Sequence, residues 1–372
     1  MGQGRLGVAV IGAGNISDQY LSDMVAYPDL DVRFVADVVV DRAAAQAAKY
    51  GVAASGSVEQ ALARDDVEIV VNLTIPAAHA EVAHRALEAG KNVWNEKPMA
   101  TTRSDAQALV DRADELGLRL GAAPDTVLGP SIQTARRWIE RGDIGRPLTA
   151  SVVMQNPGPH HWHPNPDFLF QAGAGPVLDN GPYYLAALTQ LMGPFKRVVS
   201  LGSQSGPTRT IGMGPRAGET FDVTVASYVG ALYEFRDGGV AVGTFSFDSH
   251  LDRMGVVEIS GTEGSLIASD PALFGGMIEV VKAEQGERRT VRSSAYVPEG
   301  PSGRGIGVLD MARAIRAKEL HRASGRAALH VLDALLATEE SIASGGFVDI
   351  ASEFVLTPPV PVDWDPLEST IG

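Results

Sequence analysis

Leu6-Gly7-Val8-Ala9-Val10-Ile11-Gly12-Ala13-Gly14-Asn15-Ile16-Ser17 decides the fold of this chain. An apolar run of strand length, Leu6 to Ile11, feeds into a Gly-x-Gly turn and then into residues that open a helix. The first glycine permits a tight turn, and the second lets a pyrophosphate approach the backbone at a helix N-terminus. Ser17 takes the third glycine position and is still small enough for close helix–strand packing. Such a fingerprint is weak by itself, because Gly-rich turns follow many strands. Here the strand comes first, and an acidic residue, Asp37, ends the second apolar run. A carboxylate there can accept both ribose hydroxyls and repels a 2′-phosphate, which favours NAD over NADP; Arg42 stands close enough to argue the other way. Gly12, Ala13, Gly14, Asn15, Ile16, Asp37 and Arg42 are therefore the expected dinucleotide contacts.

Working outward, residues 6–122 alternate short apolar runs with helical patterns. Strands are predicted at Leu6–Ile11, Val32–Ala36, Glu68–Leu73, Asn92–Asn95 and Arg119–Gly121, with helices at Asp41–Tyr50, Ala78–Ala89 and Ser104–Leu116. Gly90 and Gly117 stand where a helix end wants a left-handed residue. Such alternation implies a parallel sheet covered on both faces, so residues 1–123 are expected to form a dinucleotide-binding domain. From about residue 124 the texture changes. Helices are predicted at Ser131–Arg141 and Gly181–Leu191, and strands at Thr149–Met154, Arg197–Leu201, Asp222–Tyr228, Ala231–Phe235, Val240–Phe247, Val256–Ser260 and Met277–Val281. Consecutive strands joined by tight turns, such as Asp237-Gly238-Gly239, favour an antiparallel sheet. Gly202–Gly218 reads as a mobile surface loop, and two late helices, near Ile306–Lys318 and Ala327–Ser344, would cover a face or return to the first domain. The fold class is thus α/β followed by an α+β domain over residues 124–372.

Composition narrows the function. A chain of 372 residues favours two domains. A net charge of −14, with no basic run, argues against a nucleic-acid partner. The absence of cysteine excludes disulfides, thiolate catalysis and Cys-ligated zinc. No apolar stretch reaches the ~18 residues of a membrane span. The first strand begins so near Met1 that no signal peptide is expected, and a cytoplasmic protein is the simplest expectation.

Glu96-Lys97-Pro98 turns a cofactor fold into a chemical one. The tripeptide ends the strand around Val93-Trp94-Asn95, which puts a lysine ammonium at the carboxyl end of a parallel strand, where open α/β sheets bind ligands. A charged lysine beside a nicotinamide suggests redox chemistry on a hydroxyl or carbonyl.

Four segments together resemble the glucose–fructose oxidoreductase/inositol dehydrogenase/rhizopine catabolism (Gfo/Idh/MocA) family. They are Gly12–Ser17; Thr74-Ile75-Pro76-Ala77-Ala78-His79; Ala89-Gly90-Lys91-Asn92-Val93-Trp94-Asn95-Glu96-Lys97-Pro98; and Asp179-Asn180-Gly181-Pro182-Tyr183. The resemblance implies a Rossmann domain followed by a domain whose large open sheet often mediates dimers or tetramers, and a sugar, polyol or glycoside as substrate. It implies that Thr74, Ile75, Pro76 and His79 line the nicotinamide and ribose side, that Glu96, Lys97 and Pro98 sit beside the nicotinamide, and that Asp179 helps to hold the substrate. Inositol dehydrogenase-like members carry a histidine four residues after that aspartate. This chain has Tyr183, as do relatives like glucose–fructose oxidoreductase and dihydrodiol dehydrogenase, which argues against copying an inositol dehydrogenase mechanism unchanged.

Asp179 and Tyr183, four residues apart, share a helix face if Asn180 starts a helix. On this reading Tyr183 exchanges the proton of the substrate hydroxyl. A phenol's ordinary pKa of ~10 is too high for that work near neutrality, and a Lys97 ammonium beside it would lower it. Lys97 would also donate to the oxygen as alkoxide character develops, Asp179 would orient either the substrate or Lys97, and Asn180 would bind the substrate. A packed aromatic beside Tyr184 is the bland reading of Tyr183, and a helix N-terminal carboxylate that of Asp179.

The other cluster is His160-His161-Trp162-His163-Pro164, which holds three of the chain's eight histidines. Adjacent histidines lack a defined ligand spacing, so no metal is expected. His163 or Trp162 could instead meet a sugar ring in the substrate pocket, against the alternative of plain loop packing. Asp125, after the last strand of the first domain, is a further candidate pocket residue. The leading expectation is an NAD-dependent oxidoreductase acting on a CH–OH group, and two alternatives differ from it in outcome: an enzyme that uses NAD transiently to eliminate a glycosidic substituent, with no net NADH, and an NAD(H)-binding sensor without turnover. The sugar, the carbon oxidised, the direction and the oligomer size are not written in the sequence.

Overall fold

The computed structural model describes residues 4–283 and 290–371. They divide into two compact units: Met1–Gln133 with Glu299–Leu332 and Glu353–Gly372, and Thr134–Pro298 with Asp333–Ser352.

The first unit holds β1 (Leu6–Ile11), α1 (Asn15–Met24), β2 (Leu30–Ala36), α2 (Val40–Tyr50), β3 (Ser55–Gly56), α3 (Val58–Leu62), β4 (Ile69–Asn72), α4 (Pro76–Glu88), β5 (Asn92–Asn95), α5 (Arg103–Leu116) and β6 (Leu120–Ala122). The six strands are all parallel, in the order β3-β2-β1-β4-β5-β6. Every residue of β1 and β4 is buried, which is why both read as continuous apolar runs rather than alternating ones. Strand order reverses between β1 and β4, so the ligand crevice opens at their carboxyl ends. Gly51 and Gly117 end α2 and α5 in the left-handed region, at φ 69° and 66°. The later segment 299–332 is fastened here by a forked ion pair from Arg316 to Glu68, at 2.8 and 2.7 Å. Buried Asp29 accepts from Arg313 at 2.8 Å and from the backbone of Thr370 and Ile371 at 3.1 Å, which fixes the last residues.

Between and after these come α6 (Pro130–Glu140), β7 (Pro147–Gln155), α7 (Gly175–Met192), β8 (Phe195–Ser203), β9 (Thr208–Thr210), β10 (Thr220–Asp222), β11 (Tyr228–Phe235), β12 (Val240–Ser246), β13 (Arg253–Gly261), β14 (Gly264–Ala268), β15 (Gly276–Ala283), β16 (Thr290–Val297), α8 (Ile306–Ala317), α9 (Gly325–Ser344) and β17 (Val348–Asp349). In the second unit nine strands form one open sheet, ordered β16-β15-β14-β13-β7-β12-β11-β8-β17. Only β7 and β12 pair in parallel among its described strands. Burial alternates along β11 and β12, and α7 packs across β7, β11 and β12 on the buried side.

Three local readings are corrected. Asp222–Tyr228 is not one strand: the chain leaves β10 and bends before β11. The reason is that its N–H groups find acceptors on three different segments, Val223 on Pro207, Thr224 on Phe170 and Ser227 on Ser203, at 2.8 to 3.0 Å, so no single ladder can form. Gly202–Gly218 is not a plain loop, because β9 within it pairs with β10. The helix bearing Asp179 starts at Gly175, not at Asn180, and Pro182 lies inside it. Among the described residues, no helix is long and apolar enough to cross a membrane.

Candidate active site

The turn after β1 is built for a ligand's close approach. A Cβ at Gly12, where φ is +105°, would lie 2.5 Å from the Leu73 carbonyl oxygen, so only glycine lets the exit of β1 pass the exit of β4. A Cβ on Gly14 would meet nothing within 4 Å. Gly14 caps α1 with no side-chain hydrogen bond, so no side chain of the cap competes with a ligand for the helix's first N–H groups. Buried Ser17 locks the turn from below, donating to the Gly14 carbonyl at 2.6 Å. Asp37 locks it from the side: one carboxylate oxygen accepts from Ala13 N–H at 2.8 Å, the other from Val39 N–H at 2.8 Å and from Arg42 at 3.1 Å. Of the carboxylate's roughly four acceptor positions, these donors use three. The residues present thus fit a dinucleotide pyrophosphate at a helix N-terminus.

Beside it, a buried carboxamide network joins the ends of β4 and β5. Asn72 donates to Asn95 Oδ1 at 2.9 Å and to the His79 carbonyl at 3.0 Å, and accepts from the Thr74 hydroxyl at 2.7 Å. Asn95 donates onward to the Met99 carbonyl at 3.0 Å. The His79 ring bridges two loops, its nitrogens 2.6 Å from the Pro98 carbonyl and 3.0 Å from that of Thr74. Glu96 accepts from Tyr20 at 2.9 Å and from the Lys97 N–H at 2.7 Å. Burial, then the Glu96 charge, push the Tyr20 phenol well above its ordinary pKa, so Tyr20 acts as a neutral donor. Lys97 is half-buried on the loop that these contacts hold.

In the second unit, Asp179 and Asn180 of α7 wall a cleft of about 660 Å3, together with His161, Trp162, His250 and Asp252. Tyr183 is half-buried one turn after Asp179, while the neighbouring Tyr184 is buried. Tyr184 packs edge-on against Phe245, and its hydroxyl accepts from Gly255 N–H at 2.7 Å. Tyr184, not Tyr183, is therefore the packed core aromatic.

Residues 6–123 match the sequence model described as an oxidoreductase family with an NAD-binding Rossmann fold. Residues 132–267 match the C-terminal domain of the same Gfo/Idh/MocA family. The chain belongs to the Gfo/Idh/MocA oxidoreductase family. Residues 6–123 are the family's NAD-binding domain, and NAD is its cofactor. The chain is 28% identical over 330 residues to levoglucosan dehydrogenase of Pseudarthrobacter phenanthrenivorans, covering 81% of this chain and 83% of that protein. It is 29% identical over 263 residues to D-glucoside 3-dehydrogenase of Escherichia coli, covering 68% and 74%. In fold it is similar to a levoglucosan dehydrogenase solved with NADH and L-sorbose, with a TM-score of 0.80 over 94% of this chain and all of that one, at 23% identity.

Against this Gfo/Idh/MocA frame the expected site residues fall into groups. Gly12, Ala13, Gly14, Asp37 and Arg42 lie together around the turn, where Asn15 and Ile16 begin α1. Thr74, His79 and Pro98 lie together at the network, with Ile75 exposed at the start of α4 and Pro76 its first residue. His79 is 1% exposed, so its contacts are to the protein's own loops. Trp162, Asp179 and Asn180 share the cleft. Among the described residues that wall it, His163 and Tyr183 do not figure. His163 stacks edge-on with Trp162 and Phe168 and accepts from Asn165 N–H at 3.0 Å. Asp125 departs from its expected pocket role: it is fully buried and accepts from Gly305 N–H at 2.7 Å, at the start of α8. Sequence reading missed Asn72, Asn95 and Tyr20, whose partners lie 2 to 76 residues away, and His161, His250 and Asp252 of the cleft. Exposed polar residues after a strand give no periodic signal, so only proximity could have found the last three. Among the described residues, no group of three or more His, Asp or Glu could hold a metal ion.

Proposed function

We propose that this oxidoreductase transfers hydride between NAD and a secondary alcohol or ketone of a sugar, polyol or glycoside. The observation that carries the reading is the cleft walled by Asp179 and Asn180 among apolar side chains such as Trp162, Phe247 and Met254, with Tyr183 one helical turn after Asp179, in a chain whose other unit carries an NAD turn. The names of its relatives, levoglucosan dehydrogenase and D-glucoside 3-dehydrogenase, support the substrate class. NAD, when bound, supplies the hydride acceptor or donor. Within that chemistry Tyr183 exchanges the hydroxyl proton, Lys97 donates to the substrate oxygen as negative charge grows on it, and Asp179 with Asn180 orients the substrate. Asp37 selects NAD over NADP through its negative charge, although Arg42 already occupies one of its oxygens. Residues 1–123 do the cofactor work and residues 124–372 the substrate work. The chain works as a homodimer or homotetramer through the open sheet.

Purified protein should reduce NAD, and NADP poorly, in a fluorescence screen across sugars, inositols and glycosides. Lys97→Ala and Tyr183→Phe should each lower kcat by about 10²–10⁴-fold while NADH titrations give an unchanged Kd. Near-full kcat in Tyr183→Phe removes Tyr183 from proton transfer. Consumption of a glycoside without net NADH would instead indicate transient oxidation and elimination.

A further inference from the structure

Resting on the sugar-oxidoreductase reading, we propose that the cleft of the second unit takes a glycoside or disaccharide, and that Trp162 is the platform on which the group beyond the reacting ring stacks. Trp162 keeps 62% of its surface exposed, yet it is held in place. His163 meets it edge-on with ring centroids 5.7 Å apart, and Phe168 meets His163 in the same way at 5.6 Å. The loop is clamped by the β9–β10 segment. Gly212 N–H donates to the His160 carbonyl at 2.8 Å, and a Cβ on Gly214 would come within 2.7 Å of Pro164. Beyond them Arg216 forks onto Asp167 at 2.8 and 2.9 Å. His160 is buried under the loop, where burial first and His161 second depress it to about 4, so it packs as a neutral ring. An exposed indole fixed this firmly presents an aromatic face at little ordering cost.

The rest of the cleft matches such a ligand. Its volume of about 660 Å3 is what an extended ligand fills, whereas one pyranose ring would leave much of it to water. Asp179 and Asn180 are the end assigned to the reacting ring. His161, His250 and Asp252 offer donors and acceptors for further hydroxyls, while the C–H face of a second ring or an aryl aglycone suits the indole.

The test pairs free glucose and galactose with their p-nitrophenyl glycosides and their disaccharides, measuring kcat and KM with NAD and binding by calorimetry. The glycosides should show at least about tenfold higher kcat/KM than the free sugars. Trp162→Ala should raise KM and the calorimetric Kd for the glycosides about tenfold more than for the free sugars, with Trp162→Phe restoring most of the loss. Equal kcat/KM for free and glycosylated sugars, or an equal effect of Trp162→Ala on both, overturns the platform and leaves the redox reading standing. Glycoside binding that depends on Trp162 without turnover of any sugar does the reverse. Neither binding nor turnover overturns both.

Discussion

Asp125 shows how a single residue can be read correctly as unusual and wrongly as to why. A carboxylate just past a strand end looked like a pocket group, but folding strips it of water among Gly305, Gly307 and Arg304. Desolvation outweighs the nearby Arg304 charge and raises its pKa from 3.8 to about 6. The sign follows from linkage. The folded state holds this proton more tightly, so the group's contribution to stability is complete below about pH 4 and is lost as pH rises through about 6, on the order of 2–3 kcal/mol. Asp125→Asn keeps an acceptor for the two N–H groups and cannot ionise. Urea unfolding should therefore show the variant gaining stability relative to the parent between pH 4.5 and pH 7.5; a relative loss over that range would contradict the burial argument. Asp37, by contrast, was legible as a cofactor residue from its place after β2. Its grip on Ala13 and Val39 was not, because those donors appear only once the turn is folded.

Single elements were read well where periodicity was strong. β1 and β5 carry the boundaries expected of them, because an apolar run between polar flanks marks its own ends. α7 begins six residues before the predicted Gly181, running through Pro182 rather than starting next to it. The proline's missing N–H costs only the bond to Leu178, and the preceding Gly181 packs so closely on Leu335 that a Cβ there would lie 2.7 Å away. The edge strand β16 was missed because five of its eight residues in succession are exposed, so no face alternates. The carboxamides at the ends of β4 and β5 look polar and incidental in sequence, yet they tie the Lys97 loop to the sheet. Asn95→Ala leaves one Asn72 N–H and the Met99 carbonyl without their Asn95 partner, at about 1–3 kcal/mol. Thermal unfolding should fall by several degrees and kcat should drop, with NADH affinity within about threefold of the parent. An unchanged melting temperature would falsify the view that the network holds the loop.

Across the whole molecule, the nine-stranded sheet explains why this chain is expected to associate. Leu232 pairs across to Val242 on one side and to Val199 on the other, making an apolar row on the face away from α7. Leu232 and Val242 are 45% and 47% exposed. Rows of that kind mark interaction surfaces on soluble proteins. Replacing Leu232 and Val242 together with arginine should convert dimers or tetramers to monomers in light scattering while NADH still binds; a monomeric parent protein removes the proposal. The sequence by itself determined the alternation of strands and helices over residues 6–122, apart from the short β3 and α3, together with the glycine turn, its acidic partner and the position of Lys97. These are local or strictly periodic features, and strand-to-helix chemistry within a dozen residues suffices to express them. Only the tertiary structure decided which exposed residues share the cleft with Asp179, why His79 and Asp125 face the protein's own backbone, and how the β9–β10 ribbon fixes Trp162. Those contacts join residues far apart in the chain, and burial and proximity, which create them, exist only after it has folded.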